Sequence, residues 1–86
     1  MKELNYHRLM DFKPNNIGSV INQLGQVITF VEHPVLGDEY PVIAVFHEFE
    51  LAVNTEFFDM DDMYPGSEYL PVYRDGEVRC AWDFGL

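Results

Sequence analysis

One run, Pro41-Val42-Ile43-Ala44-Val45-Phe46-His47-Glu48-Phe49, restricts the fold of this chain more than any other stretch. Val42, Ile43, Val45 and Phe46 suit a pleated backbone better than a helical one. Alternation puts Val42, Ala44 and Phe46 on one face, and Ile43, Val45, His47 and Phe49 on the other. A strand that is apolar on both faces belongs in the middle of a barrel, a sandwich or a subunit interface. The run therefore specifies a place in a fold, whereas no motif in the chain specifies a biochemical activity.

The neighbouring segments supply partners for it. Val27-Ile28-Thr29-Phe30-Val31 reads as a second strand, apolar on both faces. An antiparallel pairing through the loop 33–40 sets Val31 against Ile43, Thr29 against Val45 and Val27 against His47. Before it, the stretch 17–21 is apolar and Asn22-Gln23-Leu24-Gly25 reads as a tight reversal, with Gly25 supplying positive φ. Residues 3–12 alternate, with Leu4, Tyr6, Met10 and Phe12 on one face. A helix would gather only Tyr6, Leu9 and Met10, so a strand is expected there, followed by a turn at Lys13-Pro14-Asn15-Asn16.

Beyond the central run, 50–53 reads as a short return strand. Asn54 or Thr55 is placed to cap a helical turn over 56–63, with Phe57, Met60 and Tyr64 on its inner side. Near the C-terminus, Asp75-Gly76 is the favoured pair for a two-residue type I′ turn. It sets Arg74 against Glu77, Tyr73 against Val78, Pro71 against Cys80 and Tyr69 against Trp82. One face of that hairpin would collect Tyr69, Pro71, Tyr73, Val78, Cys80 and Trp82 toward the core. The other, with Leu70, Val72, Arg74, Glu77, Arg79, Ala81 and Asp83, would be mostly polar. Pro71 lacks an N–H, which points to an edge strand.

These elements make residues 1–86 one small domain, mainly β. The expected fold is a small antiparallel barrel-like or strongly twisted sheet with one short helical turn, the alternative being an open α+β sheet. Its 48% hydrophobic and 15% aromatic content supports a packed core. A single cysteine can form no internal disulfide, which fits a reducing compartment. No basic start leads into an apolar signal region, and no apolar run approaches about 18 residues. A cytoplasmic protein without a membrane span is expected.

The formal charge is −10 and all of it sits in the middle. Between Lys13 and Arg74 there is no Lys or Arg, while ten acids fall there: Glu32, Asp38, Glu39, Glu48, Glu50, Glu56, Asp59, Asp61, Asp62 and Glu68. Such a surface repels nucleic-acid phosphates and anionic lipid, so direct nucleic-acid binding is not expected. Its simplest role is solubility. Within it, Glu56, Asp59, Asp61 and Asp62 are oxygen ligands of the kind calcium or magnesium takes, and no other cofactor is suggested. They do not form an EF-hand: counting from Asp59, the sixth residue is Tyr64 instead of Gly and the twelfth is Leu70 instead of Glu.

The remaining chemistry is sparse. Neither His-x-x-x-His nor Cys-x-x-Cys occurs. Glu32-His33 and His47-Glu48 are adjacent pairs, which on a strand face apart. Cys80 beside Trp82 reads as a small core residue. Three functions fit this inventory. The first is a non-catalytic binding or interaction module that self-associates as a homodimer, with Val45 and Phe46 near the contact. The second is an acidic decoy that imitates nucleic-acid charge on a basic protein surface. The third is a small-molecule binder or enzyme with an aromatic pocket drawn from Tyr64, Tyr69, Tyr73, Trp82 and the Phe57-Phe58 pair. The first is the function expected of this chain.

Overall fold

Residues 3–33, 42–55 and 70–85 are described by the structure, a computed structural model. In chain order they form β1 (Glu3–Leu4), α1 (Tyr6–Asp11), β2 (Asn15–Ile21), β3 (Val27–Glu32), β4 (Ile43–Phe46), a 3₁₀ turn (His47–Phe49), β5 (Leu51–Asn54), β6 (Pro71–Arg74), β7 (Glu77–Cys80) and a second 3₁₀ turn (Ala81–Phe84). The main sheet has the order β1-β5-β4-β3-β2, and β6-β7 is a separate hairpin. Every neighbouring pair is antiparallel. The two-residue β1 extends what is otherwise a four-strand sheet. Among the described residues this order is linear and closes no barrel, so the open α+β arrangement fits.

The central run takes the central place. β4 lies between β3 and β5, pairing Thr29 with Val45, Val31 with Ile43 and Phe46 with Leu51. Its two faces enter two different cores. Ala44 and Phe46 join Ile28, Phe30, Leu51, Val53 and Leu70, against which Tyr73 and Val78 of the hairpin pack. Ile43 and Val45 join Val31, Ala52 and Leu9, against which Leu4, Tyr6 and Met10 pack. The sheet is thus covered on one side by the β6-β7 hairpin and on the other by α1. A fully buried side chain the size of Phe30 or Phe46 contributes about 1.5–3 kcal/mol of transfer free energy, which makes these two faces the main source of cohesion.

The N-terminal segment departs from the expected strand. Only Glu3–Leu4 pair with β5, and Tyr6–Asp11 are helical. Asn5 decides this: extended at φ −75° and ψ 107°, it accepts the Arg8 backbone N–H on its side-chain oxygen at 2.9 Å. That is N-cap geometry, and it satisfies one of the helix's orphan donors. The helix then turns inward Leu9, Tyr6 and Met10, the three residues an alternating strand would have split. Lys13 at φ 51° reverses the chain, and Asn15 and Asn16 already belong to β2.

The strand expected to run to Phe49 stops at Phe46. His47–Phe49 turn as a 3₁₀ helix, and Glu50 closes it in the left-handed conformation (φ 52°), donating its N–H to the His47 carbonyl at 3.2 Å. Four residues are needed to return the chain into β5, so His47 has no ladder position opposite Val27. At the far end of β5, the backbone N–H and the hydroxyl of Thr55 both donate to the Val42 carbonyl. The helical turn expected over 56–63 lies outside the described residues.

The C-terminal hairpin has the expected register, with Arg74 opposite Glu77, Tyr73 opposite Val78 and Pro71 opposite Cys80. Asp75 and Gly76 both take positive φ, 53° and 81°. Its faces differ from expectation. Leu70, Val72 and Ala81 are fully buried, so the side read as mostly polar is apolar at its base. Ala81 donates to the Leu70 carbonyl and then enters a 3₁₀ turn instead of continuing the strand. Trp82 rides on that turn at 70% exposure, outside the core. The outer carbonyls of β6 face the 22–26 turn, where Asn22 Nδ2 donates to Pro71 O and Gln26 Nε2 to Tyr73 O.

Candidate functional site

The residues singled out from the sequence do not converge on one site. Val45 and Phe46, placed at a dimer contact by the sequence reading, are 0% and 1% exposed within a single chain. The sheet faces that demanded a cover receive it from α1 and the hairpin, so Val45 and Phe46 present no surface to a second copy. Of the aromatic quartet, Tyr73 is half-buried, stacked on Phe49 with ring centroids 4.5 Å apart, while Trp82 faces solvent. Tyr64 and Tyr69 lie outside the described residues, as do Glu56, Asp59, Asp61 and Asp62 with the calcium or magnesium site they suggested. Among the described residues no three His, Cys, Asp or Glu side chains gather as metal ligands, and no helix is long and apolar enough to cross a membrane.

Two histidines do acquire partners that spacing alone could not reveal. The capped start of α1 sits over the turn after β4, where the Tyr6 hydroxyl meets His47 Nδ1 at 2.8 Å. One residue on, His7 Nε2 lies 3.0 Å from Glu50 Oε2, with both side chains largely exposed. These contacts tie the helix to the β4–β5 connection. Cys80 is half-buried, and its Sγ donates to Asp83 Oδ2 at 3.3 Å. Burial first, and then the neighbouring carboxylate, hold its thiol above the ordinary range, which keeps it in the unreactive protonated form at neutral pH. Arg79 spreads over the Phe84 ring at 4.4 Å and pairs with Glu77.

The surface with most to offer a partner is the β2–β3 hairpin. Its turn is built on Asn22, a buried residue whose Oδ1 accepts the Leu24 and Gln26 N–H groups, both at 2.9 Å. Gly25 at φ 78° completes the reversal. Around this rigid knot the apolar side chains face outward. Ile21 and Val27 are directly cross-strand and are 55% and 58% exposed, and Ile17 and Leu24 are exposed as well. A sequence count bears on the same place: no Asp or Glu occurs anywhere in 12–31, although the chain holds 15 acids. That interval covers the hairpin up to Glu32, the last residue of β3, and its lone charge is Lys13, just ahead of β2.

β2 is also the long outer edge of the sheet, with no strand beyond it among the described residues. Its sequence, Asn15-Asn16-Ile17-Gly18-Ser19-Val20-Ile21, contains neither a charged residue nor a proline, the usual devices that protect such edges. One bulge between Asn16 and Gly18 is its only irregularity. Comparisons with protein-family models, with curated proteins and with solved structures found no match for this chain.

Proposed function

We propose that this chain is a non-catalytic interaction module that associates with a second copy of itself. The observation that carries the reading is the exposure of Ile17, Ile21, Leu24 and Val27 together on one hairpin whose single acid, Glu32, sits at the end of β3. Single exposed apolar side chains are ordinary on a soluble protein, whereas several on one hairpin, two of them a cross-strand pair, are the kind of surface that interfaces use. Charge narrows the choice of partner. Two copies at −10 each repel wherever acids face acids, so the surface on which they can meet is one that carries few. A single thiol with no internal partner suits a reducing, cytoplasmic setting.

Sedimentation or light scattering across a concentration series tests this. A mass twice 10.0 kDa at moderate salt is expected, shifting toward the monomer at low ionic strength as the repulsion loses its screening. A 10.0 kDa species at every concentration and salt would overturn it.

A further inference from the structure

Resting on that reading, we infer that the seam between two copies is β2 against β2, antiparallel and centred on Ser19, so that the two sheets become one. The phase of the β2–β3 ladder supplies the first argument. Asn22 donates its N–H to the Gln26 carbonyl, which makes that pair a bonded one. Bonded and non-bonded pairs alternate along an antiparallel ladder. Val20 and Ile28 are therefore bonded, while Ser19 with Thr29 and Ile21 with Val27 are not. The N–H and C=O groups of Ser19 and Ile21 consequently point away from β3, toward the side on which no described strand pairs with β2.

Self-complementarity supplies the second. With Ser19 opposite its own copy, Ile21 stands opposite Ile17 of the second copy, and Ile17 opposite Ile21, as a two-fold axis requires. Two exposed apolar side chains thereby become cross-strand pairs on each side of the axis. β2 itself carries no Asp or Glu, and on the strand beside it the one acid is Glu32, opposite Asn15 at the far end from Ile21.

Contrast with the other edges supplies the third. β1 is two residues long, too short to template a partner, and the outer carbonyls of β6 are engaged by Asn22 and Gln26. Among the described strands of the main sheet, β2 alone combines length, exposed apolar residues and no protecting charge.

The test uses the full chain and two substitutions that leave the internal ladder intact. Ser19→Pro removes an outward N–H at the axis without changing charge, and Ile21→Lys puts a charge on an exposed edge position. Each is expected to weaken the dimer by about tenfold or more while the melting transition is retained. In a Cys80→Ser background, Ser19→Cys is expected to cross-link to itself on mild oxidation, whereas Glu48→Cys, exposed but off the β2 edge, is not. If either edge variant fails to fold, the cross-linking comparison decides. A dimeric parent whose variants stay dimeric, or whose Ser19→Cys form does not self-cross-link, overturns the β2 seam and leaves self-association standing through another surface. A monomeric parent overturns both.

Discussion

The Tyr6 hydroxyl lies 2.8 Å from His47 Nδ1, joining the first turn of α1 to the 3₁₀ turn that follows β4. The rings also meet edge to face, centroids 5.7 Å apart. Tyr6→Phe keeps the ring and removes the bond. A hydrogen bond at a wet surface is worth about 0.5–1.5 kcal/mol, so urea unfolding should show a loss at or below the lower end of that range. A loss of several kcal/mol would mean that α1 depends on this contact more than on burial of Leu9.

Gly76 at φ 81° follows Asp75 at φ 53°, the positive pair that a two-residue hairpin turn demands. Space is not the obstacle to a side chain at Gly76, since nothing lies within 4 Å of where its Cβ would sit. Conformation is. Gly76→Val forces a β-branched residue into the left-handed region at a cost of about 1–2 kcal/mol. A lowered thermal midpoint is expected, and an unchanged one would argue against the turn type.

Phe46 and Val27 should respond in opposite ways. Phe46 is wholly buried under the hairpin, and Phe46→Ala should cost about 3–5 kcal/mol through lost transfer energy and a cavity. Val27 is 58% exposed, so Val27→Ser should leave the stability of dilute protein within about 0.5 kcal/mol of the parent. At high concentration the same substitution is expected to reduce association. Calorimetry at two protein concentrations separates the two effects.

If Asp59, Asp61 and Asp62 hold a divalent cation, millimolar calcium or magnesium should raise the melting temperature beyond a control of matched ionic strength. A ligand that binds only the native state stabilises it by RT ln(1 + c/Kd), which keeps rising with the free ligand concentration c. Replacing all three by Asn should abolish the gain. A salt response that is identical in that variant identifies the acids as solvated.

What could be read from the sequence is what local patterns encode. The pairing of Val31 with Ile43 and of Thr29 with Val45 follows from alternation, as does the division of β4 between two cores. Asp75-Gly76 announces its own hairpin register. α1 was not legible because a helix of six residues offers barely more than one and a half periods, and Asn5 as its cap is a single-residue signal. The turn at His47–Phe49 was hidden for a related reason: Glu50 takes the left-handed position that a glycine would have flagged. Which strand forms the outer edge depends on strand order, and no window of sequence carries that. The interval lacking Lys and Arg is conspicuous in the chain, yet the interval lacking Asp and Glu is the one that the fold turns into an exposed hairpin.

The two covers of the sheet come from opposite ends of the chain, and that has a consequence for synthesis. α1 leaves the ribosome before β3, β4 and β5, so the face holding Ile43 and Val45 can be closed as it forms. The face holding Phe30 and Phe46 waits for residues 70–85. At translation rates of about 5–20 residues per second, that wait lasts on the order of seconds, long compared with microsecond hairpin formation. During it the nascent sheet shows its largest buried aromatic residues to solvent or to a chaperone, and the last hairpin acts as the lock that ends that exposure.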